Sequence, residues 1–273
     1  CISPTGRYVV KLLLNGTARA VTIDDTLPVS KHNSYLCSSS TDKEELWVSL
    51  FEKAYLKVYG GYDFPGSTSA IDLHALCGWL PESFRMDDKR DPFKPDEVWS
   101  RMLRGHYKGS ALFTVGTKPM NEAEEERAGL LSSHAYAVLD VQEVCGVRLL
   151  KLKNPWARVR WKGAYSPSDK AGWTPQLREA LSYDPSNDFA FDNGIFWISW
   201  EAVQRFFGAV HASWNPSRFS SRKCVHGRFD KKHPDDQNLT YNPQYRLVIQ
   251  ASGATSAWLL LSRHIERTDT EGC

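Results

Sequence analysis

The amino-acid sequence predicts an α+β protein that begins with a helix-containing region and continues into a mainly β region. The first observation is an apolar pattern at helical spacing in residues 46–58, which ends at Gly60 and Gly61. The second is a series of runs rich in β-branched and aromatic residues, which is typical of strands. These runs lie at residues 111–115, 134–141, 147–153 and 195–200.

The region that we assign to residues 1–60 opens with a β-hairpin. Two short apolar runs, at residues 9–14 and 19–23, are joined through Asn15 and Gly16. An Asn-Gly pair accommodates the positive φ angles of a tight hairpin turn. A hairpin is therefore predicted before the helix.

Short polar motifs mark the start of the helix and the lobe boundary. Thr41 and Glu44 stand three residues apart before the apolar pattern, which predicts a capping box. Residues 62–78 are rich in Gly, Ser, Thr and Pro, which indicates a surface crossing between two lobes. We therefore place a domain boundary near Gly60.

The second lobe is assigned to residues 61–215, and its last elements are a short helix and a break. Ser199 is in position to cap a helix over residues 201–207, after which Asn215 and the proline that follows it interrupt the pattern. Residues 216–273 are expected to begin a β-sandwich domain. Its first strands are predicted at residues 245–250 and 257–261.

Composition and charge exclude several classes of function. Lys and Arg number 34 against 32 Asp and Glu, and because the two signs are interspersed, neither nucleic acid nor an anionic membrane is predicted as a partner. No stretch reaches the roughly 18 consecutive apolar residues that a membrane span needs. The N-terminus lacks the layout of a signal peptide, so a soluble protein is expected.

The cysteines indicate a reducing compartment. They are widely scattered and form no CxxC pair, which fits neither a zinc site nor a disulfide scaffold. A cytoplasmic location is therefore predicted. The six residues are Cys1, Cys37, Cys77, Cys145, Cys224 and Cys273.

The residues with catalytic chemistry are a histidine and an asparagine that bracket a predicted hairpin. His134 opens one alternating strand, and Asn154 closes the next. A thiol protease needs an imidazole to hold the proton of its cysteine, and a side-chain carbonyl to orient that imidazole. The indole of Trp156 is in position to shield the hydrogen bond between them from water. Taken singly, each residue is more often a satisfied strand-edge histidine or a turn asparagine; the combination favours the catalytic reading.

Several motifs of this chain occur together in one known protease family. His134 stands in a His-Ala-Tyr setting, and a Lys-Asn-Pro-Trp motif with a Trp-Lys-Gly continuation follows it. Residues 46–55 and residues 192–199 match a long helix and an Asp-Gly-Glu-Phe-Trp strand of the same family. In these motifs the chain resembles the calpains. It is most similar to the atypical, calpain-seven type at residues 61–67 and 259–264.

The resemblance implies part of a papain-like, two-lobe cysteine protease core. The nucleophilic cysteine and the Gln that stabilises the oxyanion would then precede the stretch matching residues 8–29, upstream of Cys1. Cys37 stands several residues short of a helix start, where the helix dipole would stabilise a thiolate, so it is not expected to be the nucleophile. The chain alone is therefore expected to be inactive.

The resemblance also bears on calcium. Typical calpains supply a Glu in the loop after Asn-Pro-Trp and another in the Asp-Gly-Glu-Phe-Trp strand, where this chain has Arg158 and Ile195. Calcium binds about six to eight oxygen ligands, and a guanidinium among them would oppose binding. Asp63, Asp72 and Asp192 remain as scattered surface acids. No metal or other cofactor is predicted.

Two classes of function stay open. One is an intracellular endopeptidase that acts on protein substrates; the other is a non-catalytic calpain homologue that serves as a binding or scaffold module. The chain retains the base, the orienting amide and the shielding indole, and this combination favours the protease. Papain-fold transglutaminases use Asp more often than Asn, so the Asn154 motif argues against them. A Gln and a Cys at a helix start in the upstream sequence would indicate a protease.

The hairpin between His134 and Asn154 must place both side chains on one face. A two-residue loop would put them on opposite faces, because side chains alternate along a strand. A three-residue loop that begins at Val144, with Gly146 at positive φ, would bring them together. We predict this loop, a His134–Asn154 hydrogen bond covered by Trp156, and no cysteine sulfur beside the imidazole.

Overall fold

The chain forms a β-hairpin and a six-stranded antiparallel sheet, with helices packed on both. A computed structural model describes residues 2–40, 42, 44–64, 66–156, 159–186, 193–229 and 239–264. Strands and helices are mixed along the chain, which confirms the α+β class.

The predicted hairpin is confirmed. Strands β1 (Arg7–Leu14) and β2 (Thr17–Asp24) are antiparallel, with Leu14 opposite Thr17. The two residues between them, Asn15 and Gly16, have φ angles of 53° and 72°, as a two-residue hairpin turn requires.

Helix α1 (Trp47–Val58) packs on this hairpin and confirms the predicted helix, but its start differs from the prediction. Its N-cap is Leu46, which has no side-chain cap bond, so the predicted capping box is wrong at this position. Asp42 Oδ1 instead accepts the Glu44 N–H at 3.0 Å in a local turn. Thr41 lies outside the described residues.

The predicted surface crossing contains a helix, α2 (Ser69–Cys77). Its buried Ala70 and Ala75 let it contact β1 on one side and strands of the large sheet on the other. Gly78 ends it at a φ of 73°. The sequence did not predict this helix, because Gly, Ser and Pro residues precede it and because its apolar residues lie on two sides. An amphipathic surface helix has them in a single stripe.

The large sheet has the strand order β3-β8-β4-β5-β6-β7, and all its neighbours are antiparallel. The four strand-like runs of the sequence form four of these strands. Two more were not predicted: one contains a proline and a glutamate, and the other follows directly on a helix. The strands are β3 (Leu80–Arg85), β4 (Ala111–Thr117), β5 (Ala135–Val144), β6 (Val147–Lys153), β7 (Ile195–Ser199) and β8 (Phe207–Trp214).

Four helices whose full bounds lie within the described residues accompany the sheet. The predicted cap is confirmed, since Ser199 Oγ accepts the Ala202 N–H at 3.2 Å. The helix after β3 was not predicted because its charged N-terminal residues hid a buried face of Val98, Trp99 and Met102. The four are α3 (Pro95–Tyr107), α4 (Glu122–Ala128), α5 (Pro175–Ala180) and α6 (Trp200–Phe206).

The residues beyond the sheet differ from the prediction. After β8, Asn215 caps a short 3₁₀ helix (Pro216–Arg218) by accepting the Ser217 N–H. In the described residues 239–264 neither predicted strand is present, and Leu259 and Leu261 are exposed. A strand needs a hydrogen-bonded partner, and neither run pairs there. Whether residues 216–273 begin a separate domain stays a prediction.

None of the helices in the described part of the chain combines the length and the apolar character that crossing a membrane requires.

Candidate active site

His134 directly precedes β5 and is held by the end of β4. The side chain of Thr117 accepts the His134 N–H at 2.9 Å and lies 2.6 Å from the Leu131 carbonyl, to which it donates. Ser133, just before the histidine, has a φ of 47°. A left-handed residue turns the chain sharply just before the histidine.

Asn154 directly follows β6 and is fully buried. Its backbone N–H donates to the Gly194 carbonyl at 2.8 Å. Its Oδ1 accepts the Trp156 N–H at 3.1 Å, and its Nδ2 lies 3.3 Å from the Val159 carbonyl. Donor and acceptor contacts on opposite ends fix which way the amide points.

The two side chains are hydrogen-bonded, as predicted: His134 Nε2 lies 3.0 Å from Asn154 Oδ1. Because Oδ1 can only accept, Nε2 donates the proton, and in the neutral ring Nδ1 then holds the lone pair. The site therefore presents a proton-accepting nitrogen on the ring edge away from Asn154.

Trp156 covers the histidine. The two ring centroids are 4.7 Å apart at an interplanar angle of 55°. Trp156 itself is 64% exposed, so this contact lies at the protein surface. Tyr136, fully buried, meets the imidazole edge-on with the centroids 5.2 Å apart. Two aromatic rings thus limit the positions of the imidazole.

The predicted three-residue loop is wrong, although Gly146 has the predicted positive φ of 75°. Val144 pairs with Val147 across a two-residue turn, in which Cys145 also has a positive φ. Farther along, the register shifts between Val138 and Asp140. This β-bulge adds one residue to β5 and restores the face relation that the loop was expected to provide.

No described cysteine lies beside the imidazole. Burial raises the pKa of the Cys37 thiol and of the Cys77 thiol, which opposes thiolate formation. Cys145 is in the turn at the far end of β5, and Cys224 contacts His226. Cys1 and Cys273 lie outside the described residues.

Two contributors to the site were not found from the sequence. Val159 has a φ of 61°, which is rare for a β-branched residue, and this conformation aims its carbonyl at Asn154. Thr117 contacts the histidine backbone from a different strand. Neither has a sequence signal, because one depends on a loop conformation and the other on strand pairing.

The described residues show no group of three His, Cys, Asp or Glu side chains that could hold a metal ion. Cys224 and His264 contact different nitrogens of the His226 ring, at 3.7 and 3.1 Å, so the three cannot surround one ion. Asp72 accepts the Tyr55 hydroxyl at 2.5 Å and has a structural partner. Arg158 and Asp192, invoked for calcium, lie outside the described residues, while Ile195 begins β7.

Comparison with known proteins gives matches over almost the whole chain. The model described as calpain family cysteine protease matches residues 3–213. Calpain-7 of Mus musculus is 49% identical over 271 residues, which are 98% of this chain and 33% of that protein. The calpain-like protease palB/RIM13 of Aspergillus oryzae is 38% identical over 97% of this chain and 30% of its own length. The calpain-type cysteine protease DEK1 of Zea mays is 31% identical over 98% of this chain and 12% of its length.

Proposed function

The chain belongs to the calpain family of cysteine proteases, and on that premise we propose that His134 and Asn154 are the general base and its orienting residue in a thiol endopeptidase site. The observation that supports this proposal is the 3.0 Å hydrogen bond between His134 Nε2 and the fully buried amide of Asn154. A buried amide held by other contacts keeps the imidazole in one tautomer and one orientation.

The proposed chemistry follows from that tautomer. Nδ1 of His134 takes the proton of a cysteine thiol, and the thiolate attacks the carbonyl carbon of a peptide bond. The protonated imidazole then returns the proton to the leaving amine, and the acyl-enzyme is hydrolysed by water. Trp156 keeps solvent from the His134–Asn154 bond during these steps.

The thiol in this proposal comes from outside the described residues. Among the described cysteines, Cys145 lies in the β5–β6 turn, Cys224 contacts His226, and partial burial raises the thiol pKa of Cys37 and of Cys77. The chain spans about a third of the length of the Calpain-7 relatives that it matches, and activity of the whole protein is part of the proposal. Protein substrates and a cytoplasmic location are proposed with it, the second because the described cysteines are free thiols.

The test uses the intact protein and a labelled, unfolded protein as substrate. His134→Ala should reduce kcat/KM by at least about 10²-fold, the usual effect of removing a general base. Asn154→Ala should cause a smaller loss, since the base remains but is no longer oriented. His32→Ala, at an exposed position whose N–H contacts only its local turn at Ser30, is the matched control and should keep full activity.

Two results would contradict the proposal. The first is full activity of the His134→Ala protein. The second is an inactive wild-type protein whose upstream sequence lacks the Gln and Cys at a helix start; this would favour the scaffold alternative.

A further inference from the structure

Two features determine the strand register of the β5–β6 hairpin: its two-residue turn and a β-bulge in β5. Continued without a break, the register of the Cys145-Gly146 turn would place Asn154 opposite Ala137. Side chains alternate along a strand and directly opposed residues share a face, so Asn154 would then point away from His134. The turn alone therefore gives a hairpin in which the proposed base and its orienting residue cannot meet.

The bulge at Leu139 reverses this outcome. Asp140 pairs with Lys151, but Val138 pairs with Leu152, so one extra residue lies in β5. Beyond it Asn154 falls opposite Tyr136, and both are fully buried. His134 lies two residues before Tyr136 and thus shares that face.

Polar contacts of Asp140 hold the bulge. Its Oδ1 accepts the Val141 N–H at 2.8 Å and lies 3.0 Å from Gln142 Nε2. His106 of α3 contacts the same carboxylate, with Nε2 2.9 Å from Oδ1. Leu139, the added residue, is 41% exposed and adds little packing of its own.

We propose that Asp140, anchored by His106, is a positioning residue of this site: it fixes the Leu139 bulge and thereby the face on which Asn154 meets His134. The inference rests on the proposed function only for its consequence in catalysis. Its structural content, the dependence of the His134–Asn154 contact on Asp140, is testable in this chain without any nucleophile.

The test measures solvent exchange of the His134 Nε2 proton by NMR of the chain labelled with ¹⁵N in its histidine rings. Asp140→Ala should speed this exchange at least about tenfold, because loss of a charged acceptor weakens the bulge and frees the imidazole. Asp140→Asn keeps an oxygen that can accept the Val141 N–H and should restore slow exchange.

Glu143→Ala is the matched control. Glu143 is also a β5 carboxylate that contacts α3, accepting Trp99 Nε1 at 2.5 Å, but it lies on the turn side of the bulge. Its removal should leave the His134 signal unchanged. If Asp140→Ala does not fold, His106→Ala takes its place, with His106→Gln, which keeps a terminal donor, as the rescuing variant.

Unchanged exchange in the folded Asp140→Ala or His106→Ala chain, or an equal effect of Glu143→Ala, would overturn the inference. Failure of the proposed function has a different signature. In that case the intact protein would be inactive while Asp140→Ala still altered the His134 signal of the chain.

Discussion

Single residues decide the chemistry that the site can perform. Asn154 donates through Nδ2 to the Val159 carbonyl and accepts through Oδ1 from His134 and Trp156. An aspartate has no donor for the Val159 carbonyl and would bring a negative charge into a fully buried position. The geometry therefore accounts for an asparagine here.

The residue-scale prediction concerns Thr117, which is 8% exposed. Thr117→Val keeps the shape but removes the acceptor of the His134 N–H and the donor to the Leu131 carbonyl. Leaving buried polar groups unpaired should lower the free energy of unfolding by about 1–3 kcal/mol. Urea denaturation measures the change.

The same exchange at Thr22, exposed on β2, is the control. Thr22→Val should change the free energy of unfolding by less than about 0.5 kcal/mol. Equal losses at the two positions would show that the Thr117 hydroxyl has no special part in holding the histidine.

Among the elements, the β5–β6 hairpin has its strand register determined at two places, a turn and a β-bulge. The turn requires two positive φ angles, at Cys145 and Gly146, and the bulge at Leu139 then sets the face of the site end. Gly146 has open space where a Cβ would lie, so its importance is one of backbone conformation alone.

We therefore predict that Gly146→Ala lowers the free energy of unfolding by about 1 kcal/mol, since a left-handed backbone disfavours a Cβ. Gly116→Ala in β4 is the matched control, because a Cβ there also meets open space but its φ is not positive. It should be neutral or stabilising. Thermal or urea unfolding of the two variants measures the difference. An equal loss of unfolding free energy in both would refute the conformational argument.

A second element, the β3–β8 ladder, gives a pH prediction. Burial lowers the pKa of His211, whose Nδ1 lies 2.8 Å from Oγ of its cross-strand partner Ser83. The unfolded state therefore binds the proton more tightly, so stability is complete above the ordinary pKa of 6.5 and falls as pH drops below it. His211→Gln should flatten this decline between about pH 7 and 5, as measured by urea unfolding at each pH. Parallel pH curves for the two proteins would exclude the effect.

At the scale of the whole molecule, α2 joins the two parts of the fold. The hairpin and α1 share one cluster of buried residues, and the large sheet shares another with α3 and α6. Helix α2 contacts β1 as well as β3 and β8. The predicted crossing between lobes is thus a packed helix, which couples the hairpin region to the sheet that holds the site.

Two predictions belong to this scale. Because none of the described cysteines lies beside His134, the purified chain should show no turnover of an unfolded protein substrate. Turnover that is abolished by Cys37→Ala would contradict this.

The second prediction concerns calcium. Arg158 and Ile195 stand where the resemblance to typical calpains would imply acidic ligands. Excess calcium should therefore shift the melting temperature of the chain by less than about 1 °C, since a metal that binds only the folded state would raise it. A chelator-treated sample is the control. A clear calcium-dependent rise would show that other oxygen ligands replace the missing ones.

The local features could be predicted from the amino-acid sequence alone. The Asn15-Gly16 hairpin, the body of α1, the Ser199 cap and four strands of the sheet follow from turn chemistry and apolar periodicity, both of which act over a few neighbouring residues. The pairing of His134 with Asn154 also followed from the motif and from the need for a common face. That prediction succeeded although the loop proposed to produce it was wrong.

Features that depend on contacts between distant segments are seen only in the folded protein. Tyr136 and Val141 are both buried in the core although they lie an odd number of residues apart, which indicates a bulge between them. Its position at Leu139 is given only by the strand pairing. Helix α2 is stabilised by contacts with β1 and with the strands β3 and β8 of the large sheet. Strand β8 is a strand because β3 and β4 pair with it. The positive φ of Val159 is held by surroundings that the chain assembles only on folding. Local sequence specifies turns and periodicity. Tertiary contacts, which form only on folding, determine the strand register, the formation of short helices and the strained backbone conformations.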